Sequence, residues 1–310
     1  MLLTAIALAI PQLEGYPLTW EKRRDRVWTE REILNSKAGW KLVWEDEFTG
    51  TEIDLEKWQH EVDCWGGGNN ELQCYTSRRE NAFVKDGLLH IVAREETFSG
   101  PAHNQGDPAY DPEDTSVTRP YTSARLRSIN KGNWKYGRIE VKAKLPKGQG
   151  MWPAIWMLPS EWKYGGWPAS GEIDIMEAVN SGAAGGNTIS GTLHYGQRWP
   201  GHEFSGTSFD PESFVWEQFH TYALEWQSGE IRWYVDSTHY ATQTQDGWFN
   251  YYYAGQNEGF KVGSGAAPFD QAFYLLLNLA VGGNWPGDPD ATTEFPQTFL
   301  IDSVRVYQCQ

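Results

Sequence analysis

Cysteine is scarce in this chain of 310 residues: there are 3, and none forms a Cys-x-x-Cys pair. A zinc ribbon or a dithiol redox centre therefore has no ligands to draw on. Basic residues are also in deficit, with 26 Lys and Arg against 41 Asp and Glu, a formal charge of −15. Phosphate backbones and anionic membrane surfaces repel such a surface, so neither nucleic acid nor membrane is an expected partner. No apolar run is long enough to span a bilayer as a helix, which takes about 18 residues or more. No amphipathic helix separates the β-like segments, and without one the parallel βαβ architectures fall away.

Aromatic residues are abundant: 17 Trp, 15 Tyr and 13 Phe, beside 32 Gly. Tryptophan, usually among the rarest residues, exceeds an even share of about 15 to 16. More tryptophan than a core needs implies exposed rings, and flat apolar ring faces suit the C–H faces of sugars.

The chain divides into an extension, residues 1–38, and a single domain, residues 39–310. The opening MLLTAIALAIPQL has the length of a signal-peptide core but lacks a basic start and a small-x-small cleavage site. It reads either as a weak or truncated secretion signal, for an extracytoplasmic protein, or as a plain N-terminal extension. The charged stretch 15–38 is compatible with a short surface helix. Cys64 and Cys74 flank the glycine-rich turn CWGGGNNELQC and can close a local disulfide in an oxidising compartment, leaving Cys309 over.

From Gly39 onward, short runs of Val, Ile, Tyr, Trp and Leu alternate with Gly, Pro, Asn and Asp. WKLVWEDEF (40–48) reads as a strand, and FVKDGLLHIVARE (83–95) as a hairpin turning at Asp86-Gly87. In RIEVKAKL (138–145), Ile139, Val141, Ala143 and Leu145 share one face. YALEWQSGEIRWYVD (222–236) reads as a hairpin turning at Ser228-Gly229, AFYLLLNLAVGG (272–283) as a buried strand, and FLIDSVRVYQ as the closing one. The expected fold is all-β: a two-sheet antiparallel jelly-roll sandwich.

The chemistry concentrates in Gly171-Glu172-Ile173-Asp174-Ile175-Met176-Glu177-Ala178. Glu172 and Asp174 share a face of a strand, whereas Glu177, five beyond Glu172, would point to the other. One extra residue, a bulge at Ile175-Met176, returns it to the acidic face. Crowded carboxyls raise at least one proton affinity and so supply a protonated acid beside an ionised nucleophile. The competing readings are an acidic strand edge and a calcium site.

WPASGEIDIMEAV resembles the active-site signature of glycoside hydrolase family 16, in its bulged Glu-x-Asp-x-x-Glu form. WEDEF, NNELQCYT, ENAFVKDGLLHIVA, YTSARLRS, GRIEVKAKLPKGQGMWPAIWMLP, GTLHYG, FHTYALEW, NLAVGGNWPG and DSVRVYQ extend the likeness over residues 39–310. Order and content are most similar to the laminarinases, retaining endo-β-1,3-glucanases, although agarases and carrageenases share the bulge. The resemblance implies an open substrate cleft on the concave face of the sandwich, with Glu172 as nucleophile, Glu177 as general acid/base and Asp174 as the assisting aspartate. It implies sugar contacts from Asn81, Arg125 and His194, with Asn69 and Glu71 as weaker candidates. Trp152, Trp156 and Trp167 would be stacking platforms, and Trp285 would line one end of the cleft. It implies no catalytic cofactor, and a structural calcium held by Glu47, the Gly87 carbonyl and Asp302. The expected partner is a β-glucan, bound by a monomer. The alternatives are a hydrolase of another β-linked polymer such as agarose, and a non-catalytic β-glucan recognition protein; intact Glu172, Asp174 and Glu177 favour the enzyme.

Overall fold

The structure, a computed structural model, describes residues 39–183 and 186–309. The signal-like start and the helix expected within 15–38 lie outside the described residues. Twenty strands and no α-helix occupy the described part. The first sheet runs β16 (Thr238–Thr244), β15 (Glu230–Val235), β14 (His220–Gln227), β9 (Gly137–Lys144), β20 (Gln297–Cys309), β5 (Leu88–Gly100), β6 (Val117–Ser123) and β3 (Gln73–Tyr75). On it, β1 (Trp40–Asp46) joins β20 and β4 (Ala82–Lys85) joins β5. The second runs β18 (Phe260–Val262), β17 (Asn250–Tyr253), β12 (Ile189–Gln197), β11 (Glu172–Glu177), β10 (Met151–Pro159), β19 (Phe273–Val281), β7 (Arg125–Arg127) and β2 (Gln59–Glu61). There β13 (His202–Phe209) joins β12, and β8 (Asn133–Trp134) joins β19.

Local sequence accounts for these elements. Asp86 and Gly87 both take positive φ, 55° and 75°, the backbone of a tight two-residue hairpin turn. Ile139, Val141, Ala143 and Leu145 all face the core, as their alternation requires. The opposite face of β9 is shielded too: Arg138 bonds Glu140 at 2.6 Å and Glu225 at 2.9 Å, so a charged strand face lies beneath its own ion pairs. β19 is buried along its whole length, which explains its unbroken apolar text. Ile155, Ile173, Leu275 and Leu277 of the second sheet pack with Ile139, Val141 and Leu224 of the first in one shared core.

The expectation of a purely antiparallel sandwich needs one correction. β12 pairs with β17, and β3 with β6, in parallel. Both contacts are short, and each joins segments far apart in the chain, where no hairpin connection imposes the antiparallel sense.

Candidate active site

β11 lies between β10 and β12, and its pairing contains the irregularity that the sequence demanded. Across to β12, Asp174 faces Thr192 and Glu177 faces Ser190, so three steps on β11 match two on its neighbour. Across to β10, Trp156 faces Asp174 and Ile155 faces Met176, leaving Ile175 as the extra residue. Ile173, Ile175 and Met176 all enter the core, while Glu172 and Glu177 remain partly open to solvent. The bulge is braced from the other sheet. Trp233 on β15 is fully buried and donates its indole N–H to the Asp174 carbonyl at 2.8 Å. Gly191 makes room for that ring: a Cβ there would lie 2.4 Å from Trp233.

Around the acids, Trp167 Nε1 donates to Glu172 Oε2 at 2.8 Å and Trp152 Nε1 to Glu177 Oε1 at 3.0 Å. His194, opposite Glu172 on β12, forms an ion pair with Asp174 at 3.3 Å and lies 3.8 Å from Glu172. Burial, then the Asp174 charge, push the Glu172 carboxyl up to about 7, while His194 and the Trp167 N–H pull against them. Glu177 is raised well above the usual range by burial and by Asp174 and Glu172 together. Burial opposes a charge on His194, but the contact with Asp174 and the neighbouring carboxylates prevail and lift it to about 9. Both glutamates thus hold a proton more firmly than a free carboxyl does, which supplies the protonated acid that the chemistry requires. Donor atoms of Glu172, Asp174 and His194 lie within 4.8 Å of one another, a spacing that would fit a metal ion. The raised proton affinity of His194 works against a metal there, because an imidazolium offers no lone pair.

The other expected residues fall into distinct places. Trp285 is half-exposed and meets Trp152 edge-on at 5.3 Å. Trp156 directs its N–H to Asn278 at 2.6 Å, with the Arg125 guanidinium 5.3 Å over its ring. Arg125 is itself buried, bonded to Glu61 and to the Tyr75 hydroxyl, and only its Nε lacks a protein partner. Asn81 is a correction. It is fully buried, and its amide is saturated by Thr76, Arg78, the Val92 carbonyl and Thr122, so it has nothing to offer a sugar. Glu71 is buried too, accepting from Gln73 and Tyr75, and Asn69 donates toward it at 3.5 Å.

Sequence reasoning missed Trp199, His202 and Phe204, which extend an aromatic shelf outward from Trp167 and His194. Their only signal was WPGHEF, unreadable without knowing that β13 folds back on β12. It also missed Asn278, the lone polar residue within the apolar run of β19.

On the far sheet, β1 pairs as far as Asp46↔Val304 and β5 from Leu89↔Ile301. Glu47, Gly87 and Asp302 therefore lie around the gap where β20 passes from one neighbour to the other. Both carboxylates already face cations: Glu47 meets Arg305 at 2.7 and 2.8 Å, and Asp302 meets Lys142 at 3.3 Å. A calcium ion would have to displace them.

The family model described as "Glycosyl hydrolases family 16" matches residues 69–271. The chain belongs to that family. This family 16 glycoside hydrolase is 40% identical over 285 residues to a Niallia circulans protein named glucan endo-1,3-beta-glucosidase A1. The match covers 88% of the chain but only 38% of that relative's length. A Rhodothermus marinus beta-glucanase is also 40% identical, with 87% of the chain and 85% of the relative covered. The solved laminarinase catalytic domain of Thermotoga maritima superposes with a TM-score of 0.71 at 38% identity, over 88% of the chain and 100% of that domain.

Proposed function

We propose that this hydrolase is a retaining endo-β-1,3-glucanase that cuts internal bonds of laminarin-type β-glucans. The observation that carries the reading is the bulge in β11, which brings Glu172, Asp174 and Glu177 to one face of the strand, with Glu172 and Glu177 both raised in proton affinity. In the first step the Glu172 carboxylate attacks the anomeric carbon while Glu177 gives its proton to the departing glycosidic oxygen. In the second, Glu177 takes a proton from water, which displaces Glu172 and restores the original configuration. His194 counters the charge of Asp174 and of the ionised Glu172. Trp285 and Trp199, exposed on either side of the acids, offer rings to the flanking sugars. The names of the Niallia circulans and Thermotoga maritima relatives support β-1,3-glucan as the polymer.

A product profile of the pure protein on laminarin, lichenan, agarose and carrageenan tests this. Short oligosaccharides from laminarin, released first with retained configuration, are expected; faster turnover of agarose would overturn the substrate. Secretion fits the Cys64–Cys74 disulfide. A structural calcium at Glu47, Gly87 and Asp302, with no part in the chemistry, is the remaining proposal. Melting scans with calcium and with chelator check it: a higher Tm with calcium and unchanged turnover are expected.

A further inference from the structure

Each of the two glutamates on β11 is met by the N–H edge of a tryptophan. Trp152 reaches Glu177 from β10, and Trp167 reaches Glu172 from the loop that precedes β11. Among the described residues these indoles are the only hydrogen-bond donors to the two carboxyls; His194, at 3.8 Å from Glu172, is too far to be one. An indole has one N–H and no acceptor, so each bond runs in one sense only.

We propose that Trp152 and Trp167 are positioning residues that divide the four carboxyl oxygens by role, leaving Glu172 Oε1 to attack the anomeric carbon and Glu177 Oε2 to carry and deliver the proton. The inference rests on reading Glu172 and Glu177 as nucleophile and acid/base. A protonated carboxyl has one hydroxyl oxygen and one carbonyl-like oxygen, and a fixed N–H donor selects the latter. With Trp152 on Glu177 Oε1, the proton resides on Oε2. With Trp167 on Glu172 Oε2, the lone pairs of Oε1 remain for the sugar.

The rings are themselves held. Trp152 stands perpendicular to Trp285, at an interplanar angle of 89°. Trp167 packs against His194, Trp199 and His202 at centroid distances of 5.8, 6.1 and 5.3 Å. The geometry differs from a simple stacking platform, in which the ring face serves the sugar and the N–H is free. The other charged groups facing these carboxyls are Asp174 on the same strand, His194 from β12 and, for Glu172, Arg125 from β7. None of them donates a hydrogen bond to either one, so none can take over an indole's role.

The test compares wild type with Trp152→Phe and Trp167→Phe. It adds chains carrying 3-benzothienylalanine at each position, a ring of nearly the same volume in which sulfur replaces the N–H. Carboxyl carbons of 13C-labelled glutamate are titrated by NMR in the resting protein, and kcat and KM are measured on laminari-oligosaccharides. Losing the donor at 152 should raise the Glu177 midpoint, and losing it at 167 the Glu172 midpoint, each by roughly one pH unit. kcat should fall by up to about 100-fold with KM little changed. The benzothienyl chains should reproduce both effects, which separates the missing N–H from a disturbed fold. The proposal stands only if midpoint and kcat move together; an unmoved midpoint, or a loss carried by KM alone, overturns it for that tryptophan. Failure of the wild type to cut laminarin would instead sink the glucanase reading, and the NMR titration would still decide the roles of the indoles.

Discussion

The second sheet carries two clusters of acids, and they are neutralised in opposite ways. At β2 and β7, Glu61 faces Arg125 and Arg127 at 3.3 and 3.4 Å, with Asp63 and Glu71 close by. At β11, Glu172, Asp174 and Glu177 share a single histidine and two indole N–H groups. Arginine keeps its charge at any pH a protein meets. Burial opposes the charge on Arg125, yet Tyr75, Glu61, Glu71 and Asp63 hold its proton more firmly than usual. The Glu61–Arg125–Arg127 ion pairs are fixed ionic scaffolding, while Asp63 beside them is pushed up to about 7 by burial and by Glu61. The cluster at β11 has no permanent cation in contact, so its protons can move, and proton movement is what bond cleavage needs.

Breaking the two clusters should therefore damage different properties. The largest effect belongs to Glu172→Ala, which removes the covalent step for every substrate and should lower kcat by about 10^4-fold or more. Glu177→Ala should cost about 10^2- to 10^4-fold on glucan, and less in the first step on an aryl β-glycoside whose leaving group needs no proton. Added azide discriminates between them: Glu177→Ala should yield the β-glycosyl azide and Glu172→Ala the α-product. Swapped anomers, read by NMR, would reverse the roles.

A smaller loss, in folding rather than chemistry, is expected at the scaffold. Arg125→Leu leaves buried carboxylates short of a counter-ion and should destabilise the protein by about 3–5 kcal/mol. Urea unfolding measures it, and an unchanged midpoint would mean that Arg127 suffices for Glu61.

A pH dependence of stability, set by the catalytic cluster, is also expected. In the folded protein Glu172 titrates near 7 rather than 4.5, and His194 near 9 rather than 6.5. Both bind protons more tightly when folded. Their contributions are therefore complete on the acid side and are lost as pH rises, through about 4.5–7 for Glu172 and 6.5–9 for His194. Tm should fall steadily from about pH 5 to 9, and His194→Asn should flatten the upper part of that decline.

Legibility in the sequence followed the range of the interaction. Hairpins with local turn chemistry, such as Asp86-Gly87 between β4 and β5, are written in adjacent residues and matched the fold. The bulge was legible because three acids at odd spacing fit one face only with an extra residue. The roles of the tryptophans were less so, since a ring's face and its N–H edge are the same letter in the sequence; Trp152 and Trp167 turned their edges to the acids. Asn81 misled for a related reason. Whether an amide meets a sugar or four protein groups depends on Thr76, Arg78, Val92 and Thr122 converging on it, and two of these come from other strands. The parallel β12–β17 contact was invisible because nothing local encodes it.

The position of β20 bears on how the molecule is made. This strand, residues 297–309, sits between β5 and β9 and also receives β1. Ribosomes deliver β1, β5 and β9 long before it, so during translation those strands wait with unpaired backbone edges. The first sheet can close only when its middle arrives last. That ordering makes the growing chain dependent on protection from self-association and sets a slow, long-range step at the end of folding. Truncating β20 would accordingly remove the central seam of a sheet, and with it the backing on which the catalytic sheet rests.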